Sequence, residues 1–159
     1  MSEQVRIVEV GPRDGLQNEK TPVSVEARIA FIEALVGAGL HTVEVGAFVS
    51  PKAIPQMVNS DSVLRGVDHH PDMEFHVLVP NERGYEAARA AGAKVIAVFA
   101  SASEGFSRAN INCSIAESIE RFKPVVLAPG PMASRCAAIF PACSAVPMTA
   151  RSSRKRWWM

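Results

Sequence analysis

Cysteine is scarce in this chain: three in 159 residues, at positions 113, 136 and 143, with no C-x-x-C spacing. That count excludes a disulfide-built scaffold and a cysteine-based zinc module, and it fits a reducing, cytoplasmic setting. No apolar run approaches the 18 or so residues of a membrane span. The start, Met1-Ser2-Glu3-Gln4, passes directly into an apolar pattern, so neither a secretory nor an organellar leader is expected. There is no G-x-G-x-x-G and no P-loop, so the glycines point to no nucleotide phosphate. Acid is missing altogether from residues 127–159, because all 16 Asp and Glu lie in 1–126 beside 12 of the 17 Lys and Arg. The formal charge of +1 therefore hides an acidic body and a basic end. Such an end can serve nucleic acid or a membrane surface, but its origin, argued below, leads us to expect neither partner.

What is present is ordinary for a soluble domain, with 48% hydrophobic and 21% charged residues. Residues 5–10 read as a strand. Ser24 suits the cap of a helix that carries Val25, Ile29, Ile32, Val36 and Leu40 on one face and ends near Gly37 and Gly39. Strands are expected at 42–46, 74–80 and 94–100, and helices at 59–66, at 82–91 before Gly92, and from a Ser114 cap to about Lys123. About four β-then-α units argue for a parallel sheet with right-handed crossovers. An open doubly wound sheet and part of a barrel both satisfy this alternation. A whole eight-stranded barrel needs about 200 residues or more.

The most informative run is Val8-Glu9-Val10-Gly11-Pro12-Arg13-Asp14-Gly15-Leu16-Gln17-Asn18-Glu19, an apolar strand that ends in an Arg-Asp pair on a glycine turn. Parallel α/β barrels present their chemistry at such strand ends. The bland alternative is a surface turn whose Arg and Asp merely pair with each other. Together with Thr42-Val43-Glu44 and Phe48-Val49-Ser50-Pro51-Lys52, the run resembles the start of the 3-hydroxy-3-methylglutaryl-CoA lyases, over roughly residues 5–126. The resemblance implies the N-terminal half of a (β/α)8 TIM barrel in residues 1–126, followed by an irregular basic tail at 127–159. It also implies cleavage of an acyl-CoA thioester to acetoacetate and acetyl-CoA, a divalent cation (Mg²⁺ or Mn²⁺), and a homo-oligomer for the intact enzyme. A related condensing synthase of the isopropylmalate or homocitrate kind is the enzymatic rival, although Asn18-Glu19 favours the lyase. A non-catalytic fragment is the rival from another class.

By the same resemblance Asp14 is expected to be a metal ligand, and Arg13 to hold the substrate carbonyl oxygen as enolate charge develops. Glu44, at the end of the next strand, is expected to tune the metal or its bound water and to share proton transfer. Gln17 and Ser50 are expected beside the substrate, with a helix-entry cap equally open for Ser50. His41, His69, His70 and His76 read as ordinary surface or core, and Cys113 as a buried thiol. The family's His-x-His pair, later Asn and proton-donating Cys have no counterpart here, so this chain alone is expected to be inactive.

From Leu127 the periodicity collapses into four prolines, no acid and both tryptophans, and the text reads as neither helix nor strand. One reading is a disordered basic-aromatic tail that touches anionic surfaces; the other, which we expect, is a single-base shift in the gene. If each codon is rebuilt from the third base of one triplet and the first two of the next, and permitted third bases are chosen with the family in mind, residues 132–159 can decode to HGVAVRGYISCVLGCPYDGEVLPEAVVD. Four of those positions are forced by Met132, Met148, Trp157 and Trp158, each the product of a single codon. The decoded string resembles the next strand and loop of the same lyases.

Overall fold

The computed structural model describes residues 5–67 and 70–128, together with the backbone of 136–139. Helix α1 (Val25–Gly37) opens where expected, with Ser24 Oγ accepting from the Ala27 amide at 3.2 Å. Gly39 carries it out with φ +91°, a left-handed turn that favours glycine. Strand β1 (Thr42–Ala47), helix α2 (Ser60–Val67), strand β2 (Glu74–Leu78), helix α3 (Glu82–Ala90) and strand β3 (Val95–Phe99) follow in alternation. Helix α4 (Glu104–Ile111), capped by Ser103, was not expected. Its only strong sequence signals are that cap and the left-handed Asn112 behind it, because a helix of eight residues carries too little periodicity to stand out. Helix α5 (Ile115–Val126) begins with a reciprocal capping box between Ser114 and Glu117 and continues through Pro124.

Two expectations are corrected. Residues 5–10 do not form a regular strand: they join the sheet through one bridge, Glu9 to Val43, with Glu9 N–H to Thr42 O at 3.0 Å and Glu44 N–H to Glu9 O at 2.8 Å. Val5 and Ile7 are 85% and 67% exposed, so little apolar burial supports a longer ladder here. The tail, expected to hold no strand, contributes β4 (Cys136–Ile139), paired parallel with β3 from Ile96 opposite Cys136 to Phe99 opposite Ile139. Cys-Ala-Ala-Ile is a short apolar run, and β3 offers it a full row of backbone partners. Fewer than six residues long, the run was too short to show as a period in the sequence.

The sheet order β1-β2-β3-β4 is parallel throughout and follows the chain, as successive units of a barrel wall do. Its outer face is apolar. Val43, Val45, Val77, Val79, Ile96 and Val98 pack against the helices, where the expected stripe of α1 lies: Ile32 is fully buried, with Val25, Ile29, Val36 and Leu40 around it. The inner face carries Thr42, Glu44, Glu74 and His76 low on the strands and an apolar cap of Ala47, Leu78 and Ala97 above them. The change of face on β1 is made by a register irregularity between Glu44 and Gly46.

A buried arginine ties this strand end to the helices. Arg28 of α1 donates to Val58 O at 2.9 Å and to Ser60 Oγ at 3.2 Å, while Ser60 Oγ donates to Met57 O at 2.7 Å and accepts from the Ala47 amide at 3.2 Å. A Cβ at position 46 would lie 2.6 Å from Ser60 Oγ, so the clamp needs glycine there.

Candidate active site

The expected Arg-Asp turn is a single wide turn, Gly11–Gly15, in which the Leu16 amide reaches back to Gly11 O and the Asp14 amide lies 2.6 Å from Val10 O. Gly11 is needed because its N–H donates to Glu9 Oε1 at 2.6 Å and a Cβ would come within 2.8 Å of that oxygen. The turn folds the guanidinium of Arg13 inward, leaving it 4% exposed. Its Nε donates to Glu44 Oε1, and its Nη1 donates to Asp14 Oδ1 at 3.0 Å. Arg13 and Asp14 thus do pair, but the bland surface turn is excluded, since Arg13 is buried and held by two carboxylates.

Glu44 is completely buried. Burial pushes its carboxyl above the usual carboxylate range, against the opposing charge and hydrogen bond of Arg13 and the charge of His76. Its second oxygen, Oε2, has no hydrogen-bond partner among the described residues, and neither does Oε1 of Gln17, which is 8% exposed. Two buried acceptors without donors are a cost that a bound donor or cation relieves. Asp14 stays about one-third exposed, at the mouth of the cluster. Ser50 lies on the surface, with its carbonyl accepting from Ala53 at 2.9 Å and Ile54 at 3.0 Å; the short helical turn Pro55–Met57 starts from Ile54, so Ser50 does not cap it.

The structure thus gathers Arg13, Asp14 and Glu44 into one contact set. It also shows a group that the sequence reading passed over as ordinary core: His76 donates to or accepts from Glu74 Oε1 at 2.6 Å, and Arg6 lies 2.7 Å from the same oxygen. The signal was there in Glu74-Phe75-His76-Val77, since buried parallel strands usually read as continuous apolar runs and charged alternation marks a polar inner wall. Cys113 is a buried free thiol, as expected. His70 accepts or donates at 2.9 Å from Glu33, and His69 lies outside the described residues.

Among the described residues no three His, Cys, Asp or Glu side chains come together as a metal site. Asp14 offers one hard oxygen, which fits a divalent cation only as part of a ligand set completed elsewhere. No helix among the described residues is long and apolar enough to cross a membrane.

Comparison with known proteins gives a consistent result. Residues 4–149 match the HMGL-like family. The chain is 57% identical over 124 residues to the hydroxymethylglutaryl-CoA lyase of Pseudomonas mevalonii, covering 78% of this chain and 41% of that protein. It superposes on the crystal structure of hydroxymethylglutaryl-CoA lyase from Pseudomonas aeruginosa with a TM-score of 0.81 and 50% identity, over 86% of this chain and 46% of the other. A second solved structure, an Acinetobacter HMG-CoA lyase in complex with coenzyme A and 3-methylmalate, gives a TM-score of 0.75 at 33% identity, over 85% and 43%. The chain therefore spans about two fifths of the length of the curated relatives it matches. Lyases of this family are metal-dependent and built on a TIM barrel, and the parallel sheet with its helices is the first part of one. With a family match over nearly its whole length and half or more of its aligned residues identical to lyases, the chain belongs to the HMGL-like family.

Proposed function

We propose that this chain is the N-terminal part of an enzyme that cleaves 3-hydroxy-3-methylglutaryl-CoA to acetoacetate and acetyl-CoA, as a cytoplasmic step of leucine or ketone-body metabolism. The observation that carries the reading is the buried Arg13–Glu44 pair with Asp14 at its mouth, set on the turn and strand end of a chain 57% identical to such a lyase.

The chemistry asks for two things: loss of the proton from a tertiary hydroxyl, and stabilisation of the thioester enolate left when the carbon–carbon bond breaks. Arg13, positioned by Glu44 and Asp14, presents a permanent positive charge for the thioester oxygen as that enolate forms. Glu44 and Gln17 hold acceptor oxygens that a substrate hydroxyl can satisfy. Glu44, with its carboxyl raised by burial, is suited to share the hydroxyl proton. Ser50 lies on the surface of the β1–α2 connection, where it can meet the acyl-CoA. Asp14 would hold Mg²⁺ or Mn²⁺ with ligands from outside the described residues, and the bound cation would make the hydroxyl more acidic.

Residues 127–159 are read as an out-of-frame continuation, and the 159-residue chain as inactive alone. The test is to resequence the gene from the codon for Arg121 onward and to assay both forms for acetoacetate release with Mg²⁺ and Mn²⁺. Turnover is expected only from the frame-restored protein, and is expected to fall by at least about a hundredfold in Arg13→Lys. A frame-restored protein that leaves the thioester uncleaved rejects the reading.

A further inference from the structure

The inner wall of β1 and β2 has two storeys. In the upper one Glu44 lies in register with His76, and Arg13 reaches in from the turn. In the lower one Thr42 lies in register with Glu74, and Arg6 reaches in from the N-terminal segment, its Nη2 2.7 Å from Glu74 Oε1. The end of β1 is braced by a further group, which the reaction above does not use. Arg28 is 1% exposed, and no carboxylate pairs with it among the described residues, so burial bears on its charge with nothing opposed to it. A buried cation held only by neutral acceptors is a cost to the fold, and its presence calls for another reason.

The acceptors lie on both sides of a left-handed residue. Asn59 stands at the entry to α2 with φ +61°, in a region that few residues other than glycine and asparagine enter. Nη1 of Arg28 donates to Val58 O on one side at 2.9 Å, while Nη2 donates to Ser60 Oγ on the other at 3.2 Å and lies 3.9 Å from Met57 Sδ. A planar fork spans both sides at once, which a lysine ammonium does not. The connection so pinned, residues 48–59, leans on the exit of the Gly11–Gly15 turn. Ile54 and Met57 belong to the apolar cluster against which Leu16 packs, and Gln56 Nε2 donates to Glu19 O at 2.9 Å. Gln17, with its buried and unpartnered Oε1, therefore stands between two residues that the connection holds. We propose that Arg28 is a positioning residue: through the β1–α2 connection it fixes the exit of the turn, and with it the place of Gln17 beside the substrate. What concerns substrate rests on the lyase reading, whereas the mechanical coupling from Arg28 to the turn does not.

The experiment compares amide hydrogen exchange in the 159-residue chain and in its Arg28→Lys variant. The reporters are the amides of Leu16, which reaches Gly11 O, and Glu19, which donates to Leu16 O at 3.2 Å. Tyr85 on α3, bonded to Asn81 O, is the control. Exchange at Leu16 and Glu19 is expected to quicken about fivefold or more while Tyr85 keeps its protection. A change confined to Ser62 and Val63, whose amides donate to Asn59 O, or one that reaches Tyr85 equally, overturns the proposal, since a merely structural arginine would give one or the other. If Arg28→Lys fails to fold, Ser60→Ala, which removes one acceptor of the fork, decides by the same criterion. In the frame-restored protein Arg28→Lys is expected to raise KM about fivefold, the worth of one hydrogen bond, with kcat nearly constant. It should add little once Gln17→Ala is present, and independent effects of the two would equally overturn the proposal. No cleavage by the frame-restored protein would sink the lyase reading while leaving the exchange pattern to judge the coupling.

Discussion

The outer face of the sheet presents Val43, Val45, Val77 and Ile96 to the helices, whereas the inner face of the same strands presents Thr42, Glu44, Glu74 and His76. Neighbouring residues on one strand thus serve opposite ends, because side chains alternate across a pleated sheet. The outer set is interchangeable in kind: any apolar residue of the right volume keeps the helices attached. On the inner wall each position has a specific partner, and two acceptors, Gln17 Oε1 and Glu44 Oε2, have none among the described residues. Burying Glu44 and Arg13 together is a poor way to gain stability, which supports the catalytic role proposed for that wall.

The comparison breaks most completely if the outer face is given the chemistry of the inner one. Val77→Asp puts a carboxylate in the helix-facing layer, where Val77 is fully buried among apolar neighbours. The penalty of several kcal/mol is comparable to the whole stability of a domain, about 5–15 kcal/mol. Circular dichroism is expected to show loss of the cooperative thermal transition, and a melt like that of the wild type would refute the assignment of faces.

Next in size is the pair itself. Glu44→Leu removes the fully buried carboxylate that holds the buried Arg13, and is expected to cost about 3–5 kcal/mol. Adding Arg13→Met should recover most of that loss in urea titrations, while abolishing any cleavage in the frame-restored protein. A double variant as unstable as the single would mean that the pair supports the fold after all.

The smallest effect distinguishes the storeys by pH. Glu74 is held at about 2 against 4.5 for the free carboxyl, so its contribution is present above pH 4.5 and disappears as pH falls toward 2. Glu44 runs the other way: its raised carboxyl favours the fold below 4.5, and that advantage is lost as pH climbs through the folded-state value. Urea midpoints measured against pH should therefore converge for wild type and Glu74→Gln on acidification. For Glu44→Gln the variant should gain on the wild type as pH rises. Parallel curves in both cases would remove the distinction.

Much of the outer face was legible in the sequence. The stripe of α1, its Ser24 cap and the glycines behind α1 and α3 are local signals, set by neighbours within a turn or two. The upper storey was legible by resemblance, since Arg13, Asp14 and Glu44 sit in quoted motifs that the fold brings into contact across about thirty residues. The lower storey was not. Arg6, Glu74 and His76 meet only because β1 and β2 pair in one register, and register is a long-range fact that no local window contains. β4 was hidden for a related reason: four apolar residues acquire meaning only beside β3.

The clamp beneath β1 has a bearing on inheritance. Hydrogen is the only side chain that position 46 admits while Ser60 stands where it does, and Ser60 is also what Arg28 and the Ala47 amide hold on to. A descendant that acquires a methyl group at 46 must relocate Ser60, and the arginine then loses one of its acceptors. Positions 28, 46 and 60, scattered over two helices and a strand, are thus expected to change in concert across related proteins, with Glu44 standing two residues away as the beneficiary of their agreement.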